Sequence, residues 1–172
     1  GRPVLAPESG WIDRVRSSGV GYGRALYLRI RDGRIREFGH LDAFAELART
    51  HELSADDPRM MSEVERRTLL GQLLSQPRYV ELLKGCSPST REVIRTFQVM
   101  GEHLEHMDAE AIDGYIISMS HEPSDVLLVL WFFQQADLFR RTTRGWWCGV
   151  NIIPLFEGID DLRRAHEIMD AL

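Results

Sequence analysis

A chain of 172 residues with 44% hydrophobic and 27% charged side chains can bury roughly 70% of the surface its unfolded form exposes, enough for an independent core in one domain. Its net charge of −5 argues against a general nucleic-acid surface, and its longest apolar run, Val126 to Phe133, is far too short to cross a bilayer. Two cysteines, Cys86 and Cys148, are too few for a disulfide framework, and the start Gly1-Arg2-Pro3-Val4 has no signal-peptide apolar stretch, so a reducing cytoplasm is expected.

The first 50 residues carry a net charge of +3 and the remainder −8, an asymmetry that suggests two pieces of different origin. Trp11 to Arg16 alternates apolar and charged residues as a half-buried strand does, three glycines at 19, 21 and 23 make a turn, and Arg24 to Arg31 alternates again. Asp32-Gly33 then signals a hairpin into Arg34 to Phe38, completing an antiparallel meander over residues 1–40. From residue 41 onward helices dominate. Leu41, Phe44, Ala45, Leu47 and Ala48 repeat at helical spacing, and a polar linker follows from His51 to Pro58. Ser62 and Glu65 form a capping-box pattern for a helix whose stripe is Val64, Leu69, Leu70, Leu73 and Leu74. Ser87-Pro88-Ser89 with Glu92 opens another, carrying Val93, Ile94, Phe97, Met100 and Leu104 on one face.

Tyr115 to Met119 is an apolar strand leading through His121-Glu122-Pro123-Ser124-Asp125 into a helical run, Val126 to Gln135. A second strand, Val150 to Phe156, ends on Glu157. Two unbroken apolar strands joined by a helix predict a βαβ unit of parallel neighbours with both sheet faces covered. The expected fold class is therefore mixed α/β, a meander followed by a mainly helical body with a βαβ unit. In such folds chemistry sits at the carboxyl ends of the strands, which places Ser118, Ser120, His121 and Glu157 on one rim. Asp160-Asp161-Leu162 opens a last helix with Leu162, Ala165, Ile168, Met169 and Leu172 on its apolar side, read as a solvated surface helix.

Three further groups hold reactive residue types. His103 and His106, with Glu102 and Glu105, lie within one helical turn and could form a metal pair, though a solvated helix end explains them. His121 could donate to a phosphate at the following helix N-terminus, but Ser124 and Asp125 are explained equally by capping. Trp146, Trp147 and Cys148 beside Arg140, Arg141 and Arg144 form an aromatic and basic patch of the kind that binds anions; a loop before a buried strand accounts for the same residues.

Residues 50–172 resemble the core barrel of phosphoenolpyruvate carboxylase, through Tyr115-Ile116-Ile117-Ser118-Met119, Ser124-Asp125-Val126-Leu127, Pro154-Leu155-Phe156-Glu157 and Ile159-Asp160-Asp161-Leu162, and back through Arg91-Glu92-Val93-Ile94-Arg95-Thr96-Phe97. The resemblance implies a partial TIM barrel, Mg²⁺ as cofactor with Glu157 as a metal carboxylate, and phosphoenolpyruvate and bicarbonate as partners. It admits a homo-oligomer and points away from nucleic acid and membrane. It also implies a chain that is inactive by itself, because much of that family's site lies outside it. Residues 1–45 resemble a zinc peptidase of the LytM (M23) type, through Gly10-Trp11, Gly21-Tyr22-Gly23 and Phe38-Gly39-His40-Leu41, with His40 at the family's non-ligand His. Both zinc-ligand motifs are missing, so His40 is expected to be structural. The carboxylase has a competing strand, Leu-Asp-Ile-Arg, shadowed by Leu28-Arg29-Ile30-Arg31. A chimera joined near His40-Leu41 is the preferred account, and a non-catalytic or designed domain is the alternative to an enzyme-derived piece.

Overall fold

The computed structural model describes residues 11–17, 24–29, 40–79, 81–106 and 112–172, the first two segments by backbone alone. The chain divides into two compact units, 1–37 and 38–172. In the first unit β1 (Trp11–Ser17) and β2 (Arg24–Arg29) pair antiparallel, with Ser17 opposite Arg24 and a register shift between Ile12 and Arg14. The shift is a bulge, which bends the strand and increases its twist. The strand expected at Arg34 to Phe38 lies outside the described residues.

In the second unit α1 (His40–Thr50) buries Ala43, Phe44, Ala45, Leu47 and Ala48. The helix α2 (Glu63–Leu74) starts on the expected capping box, with Glu65 accepting from the Ser62 amide at 2.7 Å and returning its own amide to the Ser62 hydroxyl at 3.4 Å. Leu70 and Leu73 are buried, whereas Val64, expected in the same stripe, is exposed. Nine residues at about 100° each put Val64 on the face opposite Leu73, so it belongs to the solvent side. Glu46 of α1 caps α3 (Pro88–His106) by accepting from the Ser87 amide and from the hydroxyls of Ser87 and Thr90.

The centre of the unit is α4 (Pro123–Gln135), which buries Leu128, Val129, Trp131, Phe132 and Phe133. A helix apolar on all sides must be covered on all sides, and α4 touches α1, α2, α3 and the strands β4 (Phe139–Thr142) and β6 (Asn151–Pro154). Parallel to β6 runs β3 (Gly114–Ile117), with Tyr115 opposite Ile152 and Ile117 opposite Pro154. The two apolar segments are thus parallel neighbours, as expected. Their burial is not: Ile117 is covered, but Ile116 is 42% and Ile153 38% exposed, so this unit covers one sheet face and leaves the other open.

The segment read as a plain loop is a hairpin of β4 and β5 (Gly145–Cys148). Gly145, at φ +120°, permits the reversal, and the Thr142 hydroxyl donates to the Gly145 carbonyl at 2.8 Å. Cross-strand pairs hold it: Phe139 stacks on Trp146 at 5.0 Å and the Arg140 guanidinium lies 4.4 Å from the Trp147 ring. The last helix, α5 (Ile159–Asp170), buries Ile168 but exposes Leu162 and Met169, and Leu172 beyond its end is exposed too. It is held by polar groups: Arg67 donates to the Ala171 carbonyl at 2.7 Å and Arg164 pairs with Glu122 at 3.1 Å. Among the described residues no helix is long and apolar enough to cross a membrane.

Candidate functional site

Parallel pairing brings the carboxyl ends of β3 and β6 to one rim, and the chain beyond each strand continues the contact. The Leu155 amide donates to the Ile117 carbonyl at 2.8 Å, and the buried Ser120 returns its amide to the Leu155 carbonyl at 3.0 Å and its hydroxyl to the Ile117 carbonyl at 3.2 Å. Two residues on from Leu155, the exposed Glu157 carboxylate accepts from the Met119 amide at 3.3 Å. Met119 itself has φ +53°, in the left-handed region.

His121, on the same rim, turns its Nδ1 to Asp161 at 3.0 Å, joining the β3–α4 loop to the first turn of α5. The hydrogen bond to Asp161 raises the His121 pKa above its ordinary value. The phosphate reading at the start of α4 meets an obstacle, because carboxylates of the chain already occupy it. Asp125 accepts from the amides of His121 and Glu122 at 2.9 and 3.0 Å, and Glu63 of α2 accepts from the Ser124 amide at 3.0 Å and from its hydroxyl. Capping accounts for these residue types, and an incoming anion would meet negative charge.

The pair His103 and His106 ends α3, where the exposed His106 has Glu105 at 3.7 Å and Glu102 pairs with Arg95 at 3.8 Å. Among the described residues no three His, Cys, Asp or Glu side chains converge as metal ligands, around Glu157 or elsewhere. The Arg140, Arg141 and Trp146, Trp147 patch belongs to the exposed β4–β5 hairpin.

His40 opens α1 and packs, partly buried, against the aromatic core, its ring 5.9 Å from those of Phe97 and Tyr115 and its Nε2 2.8 Å from the Tyr115 hydroxyl. Burial lowers its pKa, against a smaller opposing pull from Asp125. Burial also pushes the Tyr115 hydroxyl up to about 12. Because the unfolded chain takes up the His40 proton before the folded one does, stability falls as pH drops below about 6.5. Urea unfolding at pH 7.5 and 5.5 should show this loss, reduced in His40→Gln; an equal loss in the variant would assign it elsewhere. His121 works in the opposite direction, but it is exposed and its weight is small.

Glu157 and His121 lie on the rim that strand order implies, whereas Asp161, expected only at the start of a solvated helix, is the partner of His121. Nothing in the residue type of Met119 signals a left-handed backbone.

The chain is similar to several curated phosphoenolpyruvate carboxylases. It is 35% identical to that of Synechococcus sp. over 134 residues, which is 77% of this chain and 12% of the relative. To that of Thermosynechococcus vestitus it is 36% identical over 113 residues, 65% of this chain and 11% of the relative. To that of Methylorubrum extorquens it is 42% identical over 82 residues, 48% of this chain and 9% of the relative. The chain therefore spans about an eighth of the length of such relatives or less. The matching family model begins at residue 20 and runs unbroken past His40 and Leu41, so the peptidase segment and the chimeric junction are not supported. Since the family model described as phosphoenolpyruvate carboxylase matches residues 20–172, the chain belongs to the phosphoenolpyruvate carboxylase family.

Proposed function

We propose that this chain is a segment of an enzyme that adds bicarbonate to phosphoenolpyruvate to give oxaloacetate and phosphate, in the cytoplasm, and that Glu157 supplies one carboxylate to its Mg²⁺. The observation that carries the reading is the position of Glu157, exposed at the shared carboxyl end of two parallel strands, the usual place for chemistry in such sheets. A hard cation takes six or more oxygens, and Glu157 fits as one of them. Bound there, Mg²⁺ would stabilise the enolate formed as phosphate leaves. The chain's own part is to present a carboxylate whose second oxygen accepts no hydrogen bond among the described residues, on a rim held by the contacts of Ser120 and Leu155.

The isolated chain is expected to turn over nothing, because one carboxylate neither fixes a cation tightly nor positions two anionic substrates against each other. Manganese titration followed by electron paramagnetic resonance should find one site of millimolar or weaker affinity, lowered about ten-fold or more in Glu157→Gln, since losing the ligand's charge should cost at least what losing an outer-shell support does. Equal affinity in the variant would remove Glu157 from the site. Bicarbonate-dependent oxidation of NADH in an assay coupled to malate dehydrogenase, abolished in Glu157→Gln, would overturn the expectation of inactivity.

A further inference from the structure

We infer that Met119 is a positioning residue for Glu157: its left-handed backbone turns its N–H onto Oε1 and leaves Oε2 for a cation. The inference rests on the reading of Glu157 as a metal carboxylate. Its grounds are the left-handed conformation of Met119 and the carboxylate that its amide meets as a result. A residue with a Cβ is disfavoured at φ +53°, and Met119, 54% exposed, has little burial to offset that. The residues on either side are pinned to the end of β6, Ile117 through its carbonyl and Ser120 through its amide and hydroxyl. The turn between them must be taken up within Ser118 and Met119, and the conformation adopted aims the Met119 amide at a carboxylate 3.3 Å away. A hydrogen bond to an ionised acceptor is stronger than one between neutral groups, and here it fixes which oxygen faces the cation. Groups that orient a metal ligand in this way typically change affinity about ten- to a hundred-fold; a single long bond at an exposed rim should sit at or below the bottom of that range.

The test uses the full chain, with Mn²⁺ as probe and amide exchange followed by nuclear magnetic resonance. Glu157→Ala should speed exchange of the Met119 amide about five-fold or more while leaving the Ser120 amide, bound to Leu155, unchanged. Met119→Pro, which removes the N–H and cannot adopt a positive φ, should weaken Mn²⁺ binding about three- to ten-fold, whereas Met119→Gly and Met119→Leu, which keep the amide, should stay within about two-fold. Circular dichroism checks that each variant is folded. Unchanged Met119 exchange in Glu157→Ala, or wild-type Mn²⁺ affinity in Met119→Pro, would overturn the proposal. If Glu157→Gln binds Mn²⁺ as the wild type does, or if the wild type binds none, the metal reading of Glu157 fails and takes the positioning role with it, whereas the exchange result separately shows whether the Met119 to Glu157 contact exists.

Discussion

Replacing Phe97 by alanine will lower the free energy of unfolding by about 3–5 kcal/mol, the cost of removing a large aromatic side chain from a closed core. Phe97 is 1% exposed and is the side chain on which four elements meet. Its ring stacks on Phe132 of α4 at 5.3 Å and an interplanar angle of 8°, meets Phe133 edge-on at 5.7 Å, and lies 5.2 Å from Tyr115 of β3 and 5.9 Å from His40 of α1. The loss combines the transfer of a phenyl group to water with a cavity whose walls belong to separate helices and a strand, which cannot all move inward at once. Each aromatic contact adds about 0.5–1.5 kcal/mol beyond the area it buries. Against a total stability of about 5–15 kcal/mol, this takes a large fraction of what holds the second unit together. Urea unfolding of Phe97→Ala and Phe97→Leu provides the check, with the leucine variant losing much less because it refills most of the space. A loss below about 1 kcal/mol in the alanine variant would mean that the aromatic cluster is not the centre of the core.

How much of this was legible in the sequence depended on whether a feature is local. Tyr115 to Ile117 and Ile152 to Ile153 announce strands by residue type alone, and the run from Val126 to Phe133 is too apolar to be anything but central. The Ser62 and Glu65 cap is likewise decided within four residues. What covers an apolar residue is not local. Val64, Ile116 and Ile153 read as buried, and Leu162 and Met169 as the apolar side of a surface helix, yet all five are exposed, since hydrophobicity records a preference and not the neighbour that satisfies it. The β4–β5 hairpin was hidden because its pairs, arginine against tryptophan, do not alternate in polarity as a half-buried strand does. At the site, strand order sufficed to put Glu157 on the rim. The left-handed turn at Met119 was invisible, because it is imposed by the pinning of its neighbours and not by its own side chain.

The two helical glycines Gly71 and Gly101 should respond to alanine with opposite signs. In an open helix, glycine to alanine stabilises by about 0.5–1 kcal/mol, because alanine loses less backbone freedom on folding. Gly71, in α2, is that case: a Cβ there would meet nothing within 4 Å, so Gly71→Ala should gain about that amount. Gly101, in α3, is where that helix passes the end of α4, and a Cβ would stand 2.6 Å from the carbonyl oxygen of Ala136. A side chain could rotate away from such a contact; a backbone carbonyl cannot. The end of α4 is fixed by the Ala136 amide donating to Phe132 at 3.1 Å, the Leu138 amide donating to Phe133 at 2.8 Å, and Asp137 held at φ +61°. Relief must therefore come from moving α3 outward, which opens the Phe97 to Phe132 stack one turn away. Overpacking of this kind costs about 1–3 kcal/mol, more than the gain in helix propensity, so Gly101→Ala should be destabilised by up to about 2 kcal/mol. Denaturant midpoints of the two variants read the signs directly. If both rise, α3 and α4 can separate without cost, and the close crossing at Gly101 does not hold the core.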